Sequence, residues 1–372
     1  MENQNKKREP LLHITKRAVM PVWQQALIRA GAILSAMILC GVLAFILIPK
    51  LSANPSRIGE FYSCFFKGNF KTVEITWAFF KDVAVLLCIS LAITPAFRMK
   101  FWNIGAEGQV LVGVLAAEGI AYLYGSRIQS NFVLLLLMLV AAIVSGALWG
   151  VIPAVFKAKW GTNETLFTLM MNYVATYLVI YCLSKWITSG SMVMPKLQVG
   201  VLPSFVNQYF STILLVLTLT VVLYFYLNYS KHGYEISVVG ESENTAKYIG
   251  IDVKKVIIRT MILSGALCGF AGFLIGAGVN NSVSDTSVGG RGFTAIMVSW
   301  LAKFSPLFML LTSALIVFLD RGASEIASVF DVTGALTDIF VGLTLFFVIG
   351  CEFFINYRLH IRNIFKKEEK AA

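Results

Sequence analysis

Hydrophobic and polar positions in this chain alternate by whole segments. Long apolar runs near 30–48, 77–97, 107–125, 131–156, 164–186, 209–229, 257–279, 293–302, 306–319 and 336–355 are separated by polar connections. About 20 helical residues span a hydrocarbon core of about 30 Å. Most of the runs reach that length, so the pattern predicts an all-α, polytopic membrane protein of about eight to ten transmembrane helices. The runs 293–302 and 306–319 are too short to cross alone and read as half-length or tilted pieces, which lipid tolerates only inside the protein. The first run follows a long basic segment and lacks a small-residue cleavage site, so it reads as an uncleaved membrane helix. The predicted organisation is a cytoplasmic segment 1–29, a membrane domain 30–355 and a cytoplasmic tail 356–372.

Two connections are longer than the rest. The outer segment 49–76 carries Phe61, Tyr62, Phe65 and Phe66 among lysines, which suits an amphipathic piece at the membrane interface. The inner segment 230–256 is the one sizeable polar stretch between membrane helices, and the natural place for a soluble partner.

Composition agrees with this pattern. With 57% hydrophobic and 14% charged residues the chain is more apolar and less charged than an ordinary globular domain. That excludes soluble, collagen-like and disordered classes. The net charge of +11 would suggest nucleic acid in a soluble protein. With the N-terminus inside and all ten runs crossing, however, 21 of the 31 Lys and Arg fall on the cytoplasmic side. This is the positive-inside bias of a membrane protein, and no nucleic-acid partner is expected. The six cysteines form no C-x-x-C pair and read as small hydrophobes.

Catalytic chemistry finds no support. His13, His232 and His360 all lie in predicted cytoplasmic segments, and the chain has no G-x-x-x-x-G-K-[ST] phosphate loop. No metal or cofactor is expected, and the chain reads as non-enzymatic. Polar groups inside apolar runs remain, and these are costly enough to mark function by default. Glu164, Thr168, Asn172 and Thr176 are spaced four apart and form one slowly winding stripe on a helix. Lining a polar path and bonding neighbouring helices are both open for these residues. Asn103 to Gln109 (N-I-G-A-E-G-Q) places Asn103 and Glu107 on one face if the helix starts early, and its glycines permit an unwound start. A second Gly-rich element, V-G-G-R-G-F at Val288–Phe293, precedes the short run 293–302 on the opposite side. Glycine-interrupted short segments at comparable positions of two halves suit a repeat-built transporter.

Four blocks carry a resemblance to a known family: F-W-N-I-G-A-E-G-Q-V-L-V-G (101–113), G-T-N-E-T-L-F-T-L-M-M-N-Y-V-A (161–175), G-Y-E-I-S-V-V-G-E-S-E-N-T-A-K-Y-I-G-I (233–251) with L-S-G-A-L-C-G-F-A-G (263–272), and G-R-G-F-T-A-I (290–296). In this order the chain resembles the permease subunits of bacterial ABC importers for ribose-type sugars, nucleosides and branched-chain amino acids, and most of all the nucleoside-uptake branch. The resemblance implies that 233–251 holds a coupling helix, from about Ser242 to Tyr248, seated on an ABC ATPase subunit, with Gly233, Glu235, Gly240, Glu241, Asn244, Ala246 and Gly250 as coupling positions. It further implies that Asn103, Glu107, Gln109, Asn163, Glu164, Thr168, Asn172 and Phe293 lie near the translocation path. A second permease subunit, identical or similar, and an extracellular binding protein, lipid-anchored where the cell has a single membrane, complete the implied assembly in the plasma membrane, with both termini cytoplasmic. Departures from the family are Lys81-Asp82, which replace a Thr-Pro start and suggest a local ion pair near the outer surface, Ile236-Ser237, where a basic residue is common, and Asp320-Arg321, which replace small residues. The alternatives are a ribose-type sugar permease, an ion-coupled transporter using Glu107, Glu164 or Asp338, and a membrane scaffold.

Overall fold

A computed structural model describes residues 12–17, 20–187 and 191–361. The outermost parts of the expected cytoplasmic segments, 1–11 and 362–372, lie outside the described residues. The elements in chain order are β1 (Leu12–Lys16), α1 (Val22–Leu47), α2 (Pro49–Ser52), α3 (Ile58–Phe70), α4 (Val73–Arg98), α5 (Ala106–Tyr124), α6 (Asn131–Trp160) and α7 (Glu164–Trp186). They continue with α8 (Phe210–Tyr229), α9 (Lys231–Glu241), α10 (Glu243–Tyr248), α11 (Val253–Ile275), a π-turn (Gly276–Asn280), α12 (Arg291–Leu301), α13 (Pro306–Phe330), α14 (Gly334–Asn356) and β2 (Tyr357–Ile361). Among the described residues nine helices, α1, α4–α8, α11, α13 and α14, are long and apolar enough to cross a membrane.

The fold is all-α and polytopic as expected, apart from the short antiparallel pair β1–β2. One short run needs correction. Residues 306–319 are the first part of the 25-residue α13, because Asp320, Arg321, Ser324 and Glu325 break the apolar pattern without breaking the helix. The run 293–302 is short as expected, an 11-residue α12. The polar stretch 230–256 holds two helices where one was expected. The predicted helix is α10, capped by the Ser242 side chain on the Thr245 N–H at 3.2 Å. Before it runs α9, whose Gly233 and Gly240 argue against a helix by propensity alone. Within 49–76 the longest helix is α3, after the short α2 and before the first turn of α4.

The chain divides into two compact units, 1–68 with 319–372, and 69–318. In the first, α1 packs on α14, and Phe61 is fully buried in edge-to-face contact with Phe65, Phe330 and Phe340. Arg29 pairs with Glu352.

In the second unit α4, α5 and α11 form the inner layer, with most of their span residues buried, whereas α6, α7 and α8 bury a third or less. Small residues make this layering possible. A Cβ on Gly113 would lie 2.8 Å from the Gly269 Cα, and one on Gly146 would meet the Gly265 carbonyl. With little hydrophobic drive between helices in lipid, such close backbone approach is what holds α5, α6 and α11 together.

Candidate functional site: a broken membrane segment and its anchors

Polar residues within the inner layer serve first to satisfy backbone where helices are interrupted. Between α4 and α5 the chain is irregular at 101–105, and in lipid every such backbone group needs a partner inside the protein. Asn103, fully buried, supplies several. Its Oδ1 accepts from the Gly105 N–H at 3.1 Å, and its amide exchanges two 3.2 Å bonds with the buried Gln109 amide. This local turn delays α5 until Ala106, so Asn103 and Glu107 do not share a helical face. The early start considered from spacing is thereby corrected.

The α7 stripe completes the frame. Thr168 Oγ1 accepts from the Ile104 N–H at 3.2 Å, Asn172 Oδ1 accepts from the Gly108 N–H at 2.9 Å, and Asn172 Nδ2 donates to the Ile104 carbonyl at 3.0 Å. One asparagine thus serves a donor and an acceptor left over at the start of α5. Thr176 continues the stripe by donating to the Asn172 carbonyl at 3.1 Å.

Glu107 points elsewhere. Its two carboxylate oxygens accept from the backbone N–H groups of Gly290, at 2.8 Å, and Gly292, at 2.7 Å. These are the first free donors of α12, so a carboxylate from another helix does the work that an N-cap side chain normally does locally, and it favours the positive end of the helix dipole. Gly290 sits at φ +77° to start α12, and a Cβ on Gly292 would press on the Glu107 backbone at 2.5 Å. Arg291 donates to Asp82 at 3.0 Å, and Asp82 also pairs with Lys81 at 3.1 Å. The expected Lys81–Asp82 pair is therefore part of a chain of charges from α4 to α12. Phe293, in the first turn of α12, is 42% exposed.

From Val283, whose carbonyl accepts from the Met194 N–H of the connection between α7 and α8 at 2.9 Å, the chain runs without helix through Ser284–Gly289, then as α12 to Leu301 and through a turn to Phe304. The Phe304 carbonyl accepts from Arg98 at the end of α4 at 3.0 and 3.2 Å. Arg98 also donates to the Leu227 carbonyl at 3.3 Å and the Asn228 side chain at 3.2 Å. It gathers three helix ends, as cations at C-termini do. Arg98 was not among the candidate residues, although a lone arginine closing an apolar run was a readable signal.

Glu118 was also missed. It is 1% exposed in mid-α5, one of its oxygens has no partner among the described residues, and it faces Gly276 at the start of the π-turn. Its signal was a carboxylate inside an apolar run.

The remaining candidates lie toward α9 and α10. Asn163 caps α7, accepting from the Leu166 N–H at 3.1 Å. Glu164 pairs with Lys157 at 2.8 Å beside a cavity of about 190 Å³ lined also by Met99, Gly240, Ser242 and Glu243. Ile236, Val239 and Ala246 are buried with Ala96, Met99, Ala158, Val256 and Met261, which seats both short helices on α4, α6 and α11. Gly233 and Gly240 touch backbone; a Cβ on Gly240 would strike the Arg98 carbonyl. Glu235 pairs with Arg259 at 2.6 Å. Glu241, Glu243, Asn244, Lys247 and Tyr248 are exposed, Tyr248 by 92%. Gly250, at φ +86°, ends α10.

Comparison with known proteins adds a family and relatives. The family described as branched-chain amino acid transport system / permease component matches residues 76–349. The guanosine ABC transporter permease protein NupP of Bacillus subtilis is 29% identical over 320 residues, 84% of this chain and 90% of its own length. The glucose ABC transporter permease protein TsgB13 of Haloferax volcanii is 27% identical over 368 residues, 94% of each chain. The nucleoside ABC transporter permease protein NupB of Lactococcus lactis is 26% identical over 253 residues, 64% of this chain and 69% of its own length.

Proposed function

We propose, from the premise that this chain belongs to the branched-chain amino acid transport system / permease component family, that it is the membrane-spanning subunit of an ATP-driven importer of nucleosides. The observation that carries the permease reading is the broken segment 281–301. Irregular backbone at membrane depth is tolerated only where it is buried in protein or lines a cavity, and half-helix termini at depth are where transporters handle polar solutes. The exposed first turn of α12, with Phe293 beside the Glu107 carboxylate, is the part of the path that meets solute. Asn103, Gln109, Thr168 and Asn172 form the frame that holds α5 against it, and Asn163 and Glu164 stand at the inner end. Nucleosides are favoured by the guanosine and nucleoside permeases among the relatives.

The chain itself does not hydrolyse ATP in this reading. A separate ABC ATPase engages the exposed side of α10, and closure of that subunit moves α9 and α10, which the buried cluster around Val239 and Ala246 ties to α4, α6 and α11. A second permease subunit and an extracellular binding protein complete the importer, in the plasma membrane with both termini inside.

Proteoliposomes containing the permease, ATPase and binding protein test the reading. Labelled guanosine should accumulate only with ATP on the α10 side and with both partners present. Accumulation driven by an ion gradient without the ATPase would refute it. The glucose permease among the relatives makes a sugar the competing substrate, and uptake that excess glucose blocks and excess nucleoside does not would replace the substrate.

A further inference from the structure

We propose that Tyr173 and Tyr177 on α7 form an aromatic rail on which the nucleobase of the solute stacks as it crosses. The proposal rests on the nucleoside-permease reading above and names residues that would give it base selectivity. One side of α7 is engaged: Thr168, Asn172, Ala175, Val179 and Leu183 are buried. Tyr177 lies nine residues from Thr168, about two and a half helical turns, and so stands on the opposite side. Tyr173 and Tyr181 lie four residues to either side of it, at intervals of about 6 Å. All three are exposed, Tyr177 by 69%.

Lipid does not account for this face. Tyr173 and Tyr177 lie about 14 and 20 Å along a helix of 23 residues, in mid-span, whereas tyrosine favours the membrane–water interfaces. Exposed tyrosines of neighbouring spans keep to that rule, with Tyr122 and Tyr124 at the end of α5 and Tyr229 at the end of α8. At mid-span α6 and α8 expose aliphatic residues instead, as at Val140, Val144, Leu217 and Val221. Tyr181 carries the Lys185 ammonium over its ring at 5.8 Å. The side chains of Tyr173 and Tyr177 have no hydrogen-bond, ring or cation partner among the described residues. A hydroxyl without a partner in hydrocarbon is costly, so the face suits water and a polar solute.

A second copy of this face is the other candidate cover. Helices that pack closely in lipid meet through small residues, but this side of α7 presents Leu166, Met170 and the tyrosines. Such bulk holds a facing helix away and leaves room between. α7 is also tied to the path already described, since Asn172 holds Ile104 and Gly108 while the intervening Glu107 holds the first turn of α12. Phenol rings offer a base a flat partner, and such stacking tolerates any base.

The complete importer in nanodiscs, with Cys182→Ala removing the partly exposed native thiol, tests the surface. A water-soluble methanethiosulfonate should modify Tyr173→Cys and Tyr177→Cys about tenfold faster than Val144→Cys on α6, because the reactive thiolate needs water. In proteoliposomes Tyr177→Phe and Tyr177→Trp should keep guanosine uptake within about twofold, and Tyr177→Leu should lower it about tenfold, the loss of one stacked ring. Equal uptake with Tyr177→Leu and Tyr177→Phe would overturn the rail, since a surface that merely touches lipid or protein tolerates either. So would labelling no faster than at Val144→Cys, or disulfides between two copies of Tyr177→Cys without labelling, which would make the face a subunit interface. A wild-type complex that imports glucose and no guanosine would overturn the nucleoside reading and the stacking with it, and the labelling contrast would decide by itself whether the face lines a path.

Discussion

At the residue scale, the polar side chains inside the second unit are arranged to answer specific backbone groups. Asn172 is the clearest case, because its amide satisfies both the Gly108 N–H and the Ile104 carbonyl. Each buried polar group left unpaired costs about 1–3 kcal/mol. Asn172→Ala should therefore lower the stability of the purified permease by about 2–6 kcal/mol, the range for two such groups. Asn172→Asp keeps the acceptor but sets a second oxygen against the Ile104 carbonyl in place of the donor, and should be destabilised at least as much. Thermal unfolding in detergent ranks the three proteins; an alanine variant as stable as the parent would remove the anchoring role. Glu107 makes a different prediction, since it holds a helix terminus beside an exposed aromatic ring. Glu107→Gln retains shape and one acceptor but loses the charge that favours the dipole of α12, an interaction of about 0.3–2 kcal/mol. It also leaves one of the two N–H groups of Gly290 and Gly292 facing an amide donor, so stability to unfolding should fall by about 1–3 kcal/mol, while uptake drops tenfold or more, a loss out of proportion to that change. The sequence made these residues visible as polar groups in apolar runs. Their partners are backbone atoms up to 185 residues away, and spacing along one chain carries no information about those.

At the element scale, the 230–256 segment shows what sequence reading captured and what it lost. The family resemblance implied a short helix from about Ser242 to Tyr248, and the structure has α10 at Glu243–Tyr248. The neighbouring α9 was hidden because Gly233 and Gly240 look like helix breakers until their surroundings are known. Both are required by contact: a side chain on Gly240 would push α9 off the end of α4. Gly240→Ala should reduce uptake sharply, and Gly240→Pro should abolish it, with membrane insertion preserved in both. Normal uptake and normal co-purification of the ATPase with Gly240→Pro would refute the coupling role of α9 and α10. The start of α11 adds a pH dependence. Asp252 caps it, accepting from the Lys255 N–H at 3.2 Å, and that bond holds its carboxyl below the usual carboxylate range. A carboxylate whose pKa is depressed in the folded state stabilises at neutral pH, and the stabilisation is lost as pH falls through the depressed value. Acid should therefore loosen the first turn of α11. Asp252→Asn keeps the cap oxygen and should remove the pH dependence, measured as amide exchange at Val253–Val256 corrected for the intrinsic rate.

At the scale of the whole molecule, hydropathy read the number of spans well because lipid imposes a length and polarity that few soluble segments imitate. It failed where polar residues lie within a long helix, as at Asp320-Arg321 in α13. The orientation rests on the bias of lysine and arginine toward one set of loops, and it has consequences at two opposite exposed sites of the second unit. Tyr248 on α10 is 92% exposed and belongs to the predicted cytoplasmic side, whereas Phe205 in the connection before α8 is 76% exposed and belongs to the predicted outer side. Five of the six native cysteines are buried and Cys182 is partly so, which keeps the background low for thiol labelling. A membrane-impermeant maleimide should modify Phe205→Cys in intact cells and Tyr248→Cys only in inverted vesicles. In the assembled importer the ATPase subunit should protect Tyr248→Cys, and the binding protein should protect Phe205→Cys. Labelling of Tyr248→Cys in intact cells would reverse the orientation. Labelling from inside that the ATPase leaves unchanged would keep the orientation and move the coupling surface away from α10.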